Sequence, residues 1–143
     1  MSYVKSWIHA VWGTKETTPV LSKELRQKLF PHLKENARAK GMYIDFVNGY
    51  FDHVHCLILI NADMSIAKSI QLIKGESSHW INKQKLLSSK FEWADDYFAA
   101  SISESMIDKV REYIKDQEEH HKKITFTQEY EKFIKKYDLQ THG

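Results

Sequence analysis

The sequence predicts an α+β fold: a four-stranded antiparallel sheet in the ferredoxin-like split βαβ order, with helices covering one face and further helices at the C-terminal end. Three observations predict it. The first apolar segment is hydrophobic at both parities, two later stretches repeat apolar residues at helical spacing, and a short link joins two strand-like runs between them. The resulting order, β-α-β-β-α-β followed by helices, decides architecture and leaves function open.

In residues 3–14, Val4, Ile8, Ala10 and Trp12 fall on one parity and Tyr3, Trp7 and Val11 on the other, as in a strand buried on both faces. Gly13 and Pro19 mark a loop. Ser22 is placed to cap a helix that repeats Leu25, Leu29, Leu33 and Ala37 and stops at Gly41, with a kink expected at Pro31. Residues 42–50 and 53–60, joined through Tyr50, Phe51 and Asp52, read as an antiparallel hairpin. Ser65 can cap a helix carrying Ile66, Ile70, Ile73, Trp80 and Ile81. After a polar stretch, residues 97–102 form the fourth strand, with Tyr97, Ala99 and Ser101 on one face. Ser105, with Asp108 at capping-box spacing, begins a helix over about 105–123 that carries Ile107, Val110 and Ile114. Thr125, with Gln128 three residues on, begins a last helix over about 125–138, with Phe126, Tyr130, Phe133 and Tyr137 along one side.

A chain of 143 residues, 42% hydrophobic and 28% charged, is long enough to bury a core and fits a single domain over 1–143. Its longest apolar run, residues 56–60, is far too short to cross a bilayer, and its first residues lack the long apolar stretch of a secretory signal, so a cytoplasmic protein is expected. The single cysteine, Cys56, excludes an internal disulfide and a multi-cysteine zinc site. With 21 Lys+Arg against 19 Asp+Glu, any surface for a polyanion must be a local patch. Eight histidines are many for this length, and their spacing decides what they do.

The informative run is Asp52-His53-Val54-His55 at the start of the third strand. Side chains alternate along a strand, so His53 and His55 point the same way, roughly 7 Å apart at the backbone, close enough to converge on one cation. On spacing alone, a His-x-His in a strand is more often a pair of sheet residues bonded to backbone or water. The helix after the fourth strand adds Tyr113 and Gln117, four apart and therefore on one side. Tyr113 alone also suits the edge of the apolar stripe, and Gln117 alone a solvated position. Their joint occurrence with the histidine pair is what carries information. His120 and His121 are adjacent on a helix, about 100° apart, and are expected in solvent. Asp52 can either orient an imidazole or bond local backbone N–H groups.

Here the sequence resembles the single-tyrosine HUH transposases of small insertion sequences. The resemblance covers nearly the whole chain. It rests on Asp52-His53-Val54-His55, on the segment Trp93-Ala94-Asp95-Asp96-Tyr97-Phe98-Ala99-Ala100-Ser101-Ile102-Ser103, and on Tyr113-Ile114-Lys115-Asp116-Gln117, in the family's order and approximate spacing. It implies that His53 and His55 bind a divalent metal ion, Mg²⁺ or Mn²⁺, that Gln117 is the third protein ligand, and that Tyr113 is the nucleophile. It also implies single-stranded DNA, as a hairpin at the element's end, for the substrate, a 5′-phosphotyrosine intermediate, and a homodimer in which the tyrosine helix often meets the partner's histidines. One departure is Phe51, where family members commonly have proline. Lys68, Lys74, Lys83 and Lys85 are candidates for contacting the DNA backbone, and each is equally a solvated helix residue. The rival readings are a relaxase-like nickase, a domesticated relative acting on chromosomal palindromes, and a non-catalytic nucleic-acid-binding module presenting Tyr3, Trp7, Tyr97, His53 and His55 for stacking.

Overall fold

The computed structural model describes residues 5–142, with side chains described to residue 135. Tyr3 and Val4 of the expected first strand, and the side chain of Tyr137 in the expected last helix, lie outside the described residues. The elements run β1 (Ser6–Gly13), α1 (Lys23–Ala39), β2 (Tyr43–Tyr50), β3 (His53–Ile60), α2 (Ile66–Lys83), β4 (Phe98–Ile102), α3 (Ile107–Lys115), α4 (Gln117–His121) and α5 (Phe126–His142), with single 3₁₀ turns at Lys15–Thr17 and Glu104–Met106.

The strands form one antiparallel sheet in the order β2-β3-β1-β4, as the split βαβ reading expects. The two most apolar strands occupy its centre. One face of β1 and β3, with Ile8, Ala10, Trp12, Val54, Cys56 and Ile58, packs under α1 and α2 through Leu25, Leu29, Leu33, Ile70, Ile73 and Ile81. Each such fully buried aliphatic side chain contributes about 1.5–3 kcal/mol relative to exposure. The other face carries Trp7 and Leu57 against Ile107 and Ile114 of α3, and it is on this side that the C-terminal helices lie.

Three of the expected helix starts are built as expected. Ser22 Oγ accepts from Leu25 N at 3.1 Å and Ser65 Oγ from Lys68 N at 3.0 Å. Thr125 and Gln128 form a reciprocal capping box at 2.8 and 3.1 Å. At the end of α1, Gly41 adopts φ +82° while Gly41 N donates to Arg38 O and Met42 N to Ala37 O, a Schellman stop that favours glycine. Pro31 does not end α1, because the buried row of Leu25, Leu29, Leu33 and Ala37 holds the helix on both sides of it.

The start at Ser105 is different. This residue lies inside the 3₁₀ turn with its hydroxyl 3.2 Å from Ser103 Oγ, and Asp108 pairs with Arg111 at 2.9 Å instead of closing a capping box. Nor is 105–123 one helix: Asp116, at φ −91° and ψ 17°, separates α3 from α4. Arg111 also grips Asp45 through Nε (2.7 Å) and a terminal nitrogen (3.1 Å), and Asn48 Nδ2 donates to the carbonyls of Ile114 and Lys115. Two residues of β2 thus tie α3 to the sheet and bond its last carbonyls. At the β2–β3 corner, buried Arg26 donates to Gly49 O (3.2 Å) and meets Glu118 (3.3 Å), with its guanidinium 5.1 Å from the Phe51 ring. That contact gives Phe51 a packing role at the hairpin corner.

Candidate active site and metal centre

Strand alternation places His53 and His55 on the face covered by the C-terminal helices, and both are fully buried. Each ring is held at Nδ1. His53 Nδ1 lies 2.8 Å from Asp52 Oδ1, and His55 Nδ1 lies 3.0 Å from Nε2 of His9, a buried residue of the adjacent strand β1 diagonally across from it. This leaves both Nε2 atoms facing inward. Asp52 therefore orients an imidazole, the first of its two expected roles, while its backbone carbonyl accepts from Thr14 N at 2.9 Å.

Gln117 is fully buried, with Nε2 donating to Tyr113 O at 3.2 Å and Oε1 turned to His53 Nε2 at 3.1 Å. The Tyr113 ring lies 5.7 Å from the His55 ring, centroid to centroid. Tyr113, Gln117, His53 and His55 thus meet within one chain, and the break at Asp116 lets α4 turn Gln117 toward the histidines. A cleft of about 880 Å³, lined by Trp7, His9, Ser101, Lys109, Tyr113 and Phe133 among others, opens beside the tyrosine.

Two further residues enter the site. His121, expected in solvent, has a side chain only 1% exposed, with Nε2 at 2.9 Å from Gln117 Oε1 and 3.2 Å from Glu129 Oε1. Glu129 comes from the first turns of α5, and its Oε1 also lies 3.2 Å from His55 Nε2. Its other oxygen accepts the Tyr113 hydroxyl and lies 3.1 Å from His120 Nε2, so His120, 31% exposed, borders the site as well. Adjacent helical residues do point apart, yet one carboxylate with two oxygens receives both rings. Nothing in the local pattern around Glu129 announces this, since the contact depends on how α5 returns across the sheet.

Burial dominates the electrostatics. It lowers the His9 pKa to about 3, with the neighbouring His55 adding to the effect. It lowers that of His55 to about 4 against the opposing pull of Glu129. Burial also works to raise the Glu129 pKa, but hydrogen bonds with His121 and His55 outweigh it and hold the carboxyl below its ordinary range. The Tyr113 phenol is pushed up, first by burial and then by its bond to the Glu129 carboxylate. The donor set suits a divalent cation: inward imidazole nitrogens with their far sides satisfied, one carboxylate and one amide oxygen, with His53, His55, His121 and Glu129 offering atoms within 4.8 Å of one another.

The four lysines are not brought to this site. Lys68, Lys83 and Lys85 are exposed, the first two on α2 in the layer across the sheet from the histidines and Lys85 just beyond its end. The ammonium of Lys74 donates to the carbonyls of Ala94 (2.6 Å), Asp95 (3.1 Å) and Asp96 (3.3 Å) and thereby holds the loop before β4.

The match to a family model places the chain among transposases. The sequence model of IS200-like transposases matches residues 2–117, and the chain belongs to that family. A candidate transposase from Deinococcus radiodurans R1 is similar in structure, with a TM-score of 0.66 at 24% identity, over 82% of this chain and 95% of that one. A REP-associated tyrosine transposase bound to a REP hairpin gives a TM-score of 0.57 at 16% identity, over 81% of this chain and 68% of the other. No curated protein matches. Among the described residues, no helix is long and apolar enough to cross a membrane.

Proposed function

We propose that this transposase cuts and rejoins single-stranded DNA at hairpin-bearing ends through a 5′-phosphotyrosine on Tyr113, with a divalent metal ion, Mg²⁺ or Mn²⁺, held at His53, His55 and Gln117. The observation that carries the reading is the meeting of Tyr113 with a buried, inward-facing histidine pair in a chain of the IS200-like family. When bound there, a divalent cation would withdraw charge from a phosphodiester oxygen. The remaining work falls to the protein. Tyr113 forms the Oη–P bond as the P–O3′ bond breaks, and the phenol's proton is balanced by the one gained at the released 3′-hydroxyl. A second 3′-hydroxyl reverses the step and rejoins DNA without ATP, since the phosphotyrosine keeps a phosphodiester's bond energy.

The cleft beside Tyr113 supplies an aromatic floor at Trp7 and a cation at Lys109 for the strand around the reacting phosphate. The REP hairpin held by the similar transposase supports a hairpin substrate. Excision joins two ends and each chain offers one such tyrosine, so two chains act together. The test is incubation of the chain with labelled hairpin DNA and Mn²⁺, followed by denaturing electrophoresis. Wild type gives a DNA adduct that survives denaturation and Tyr113→Phe gives none; an adduct of equal yield in the variant would place the nucleophile elsewhere.

A further inference from the structure

We infer that His121 and Glu129 are metal ligands, joining His53, His55 and Gln117 in a centre of three imidazoles, one carboxylate and one amide oxygen that prefers a first-row transition cation over Mg²⁺. The inference rests on the reading of this site as a metal centre and extends it to two residues beyond the segment 2–117 that the family model matches.

Hydrogen-bond bookkeeping leads to it. A backbone carbonyl only accepts, so the 3.0 Å contact of His121 Nδ1 with Ile124 O puts the ring's hydrogen on Nδ1. A neutral ring then turns a bare Nε2 lone pair toward Gln117 Oε1 at 2.9 Å and Glu129 Oε1 at 3.2 Å. Those oxygens are acceptors as well, the glutamine being oriented by its donation to Tyr113 O. His53 repeats the pattern: Nδ1 donates to Asp52 at 2.8 Å, and Nε2 faces Gln117 Oε1 at 3.1 Å and Glu129 Oε1 at 3.5 Å. His55 brings a third Nε2 to Glu129 Oε1 at 3.2 Å.

Three nitrogens and two oxygens thus converge with few hydrogens between them. One divalent cation satisfies every lone pair at once. Metal–ligand bonds of about 2.0–2.2 Å draw donors inward from the present spread, within which the four atoms already lie no more than 4.8 Å apart. Mg²⁺ demands oxygen ligands and retains water, whereas imidazoles suit Mn²⁺, Fe²⁺, Co²⁺ or Zn²⁺.

The test is titration calorimetry of the full chain with Mn²⁺ and, separately, Mg²⁺ in the absence of DNA, together with pulsed electron paramagnetic resonance of the Mn²⁺ form to count coordinated imidazoles. The expected result is one Mn²⁺ per chain, three imidazole couplings, and Mg²⁺ binding weaker by at least roughly tenfold. His121→Ala removes one coupling and weakens Mn²⁺ by roughly tenfold or more. The near-isosteric Glu129→Gln also weakens it, and His79→Ala, which removes an exposed imidazole on α2, changes neither readout. Unchanged affinity and couplings in both His121→Ala and Glu129→Gln, or Mg²⁺ bound as tightly as Mn²⁺, would overturn the inference even if the Tyr113 adduct forms. Mn²⁺ binding as expected with no adduct from wild type would instead overturn the proposed reaction.

Discussion

Asp52 and His9 do the same job from opposite sides, each occupying an imidazole Nδ1 so that the Nε2 beyond it faces the site. Such outer partners commonly contribute 10–100-fold to metal affinity. Asp52→Ala is therefore expected to weaken Mn²⁺ binding by about tenfold in a calorimetric titration while the β2–β3 turn survives, because Thr14 N bonds the backbone of residue 52 and not its carboxylate. At this scale the sequence was partly legible. Alternation along β3 put His53 and His55 on one side, and helical spacing put Gln117 with Tyr113. His9 gave no such signal, since a lone histidine in an apolar strand has many uses. Glu129 gave none either, because its partners are 8 to 76 residues away in sequence, from His121 back to His53 and His55.

At the level of elements, capping chemistry was the clearest guide, since Ser22, Ser65 and Thr125 with Gln128 each act within one turn of chain. The break at Asp116 was not legible, because it arises from the pull of Asn48 on the end of α3 and the burial of Gln117, both contacts from distant sequence. The capping box now gains significance from what it starts, for Glu129 lies one residue beyond Gln128. Replacing both Thr125 and Gln128 by alanine should cost about 1–2 kcal/mol in the seating of α5. Amide hydrogen exchange checks this: protection in the first turns of α5 should fall, and protection in β1 and β3 should not.

For the molecule as a whole, two buried imidazoles, His9 and His55, make stability fall in acid. In the unfolded chain His9 and His55 titrate near 6.5, while in the folded, metal-free chain they resist protonation until about 3 and about 4. Their contribution to stability is therefore level above about pH 6.5. It falls as the pH drops from there toward about 4, because the unfolded state binds protons that the folded state refuses, at up to about 1.4 kcal/mol per pH unit for each ring. Urea denaturation in the presence of a chelator, from pH 8 to pH 4, should show this one-sided decline.

Arg26 has a mechanical consequence. From α1, in the layer on one side of the sheet, it reaches the hairpin backbone at Gly49 and the carboxylate of Glu118 in α4, which belongs to the layer on the other side. A planar fork with donors along two edges can serve as a rivet through that corner, where a lysine's single point of attachment could not. Shear between the two helical layers is resisted a few residues from where His53 begins its strand, so the reactive centre inherits its rigidity from a cross-tie that takes no part in the chemistry.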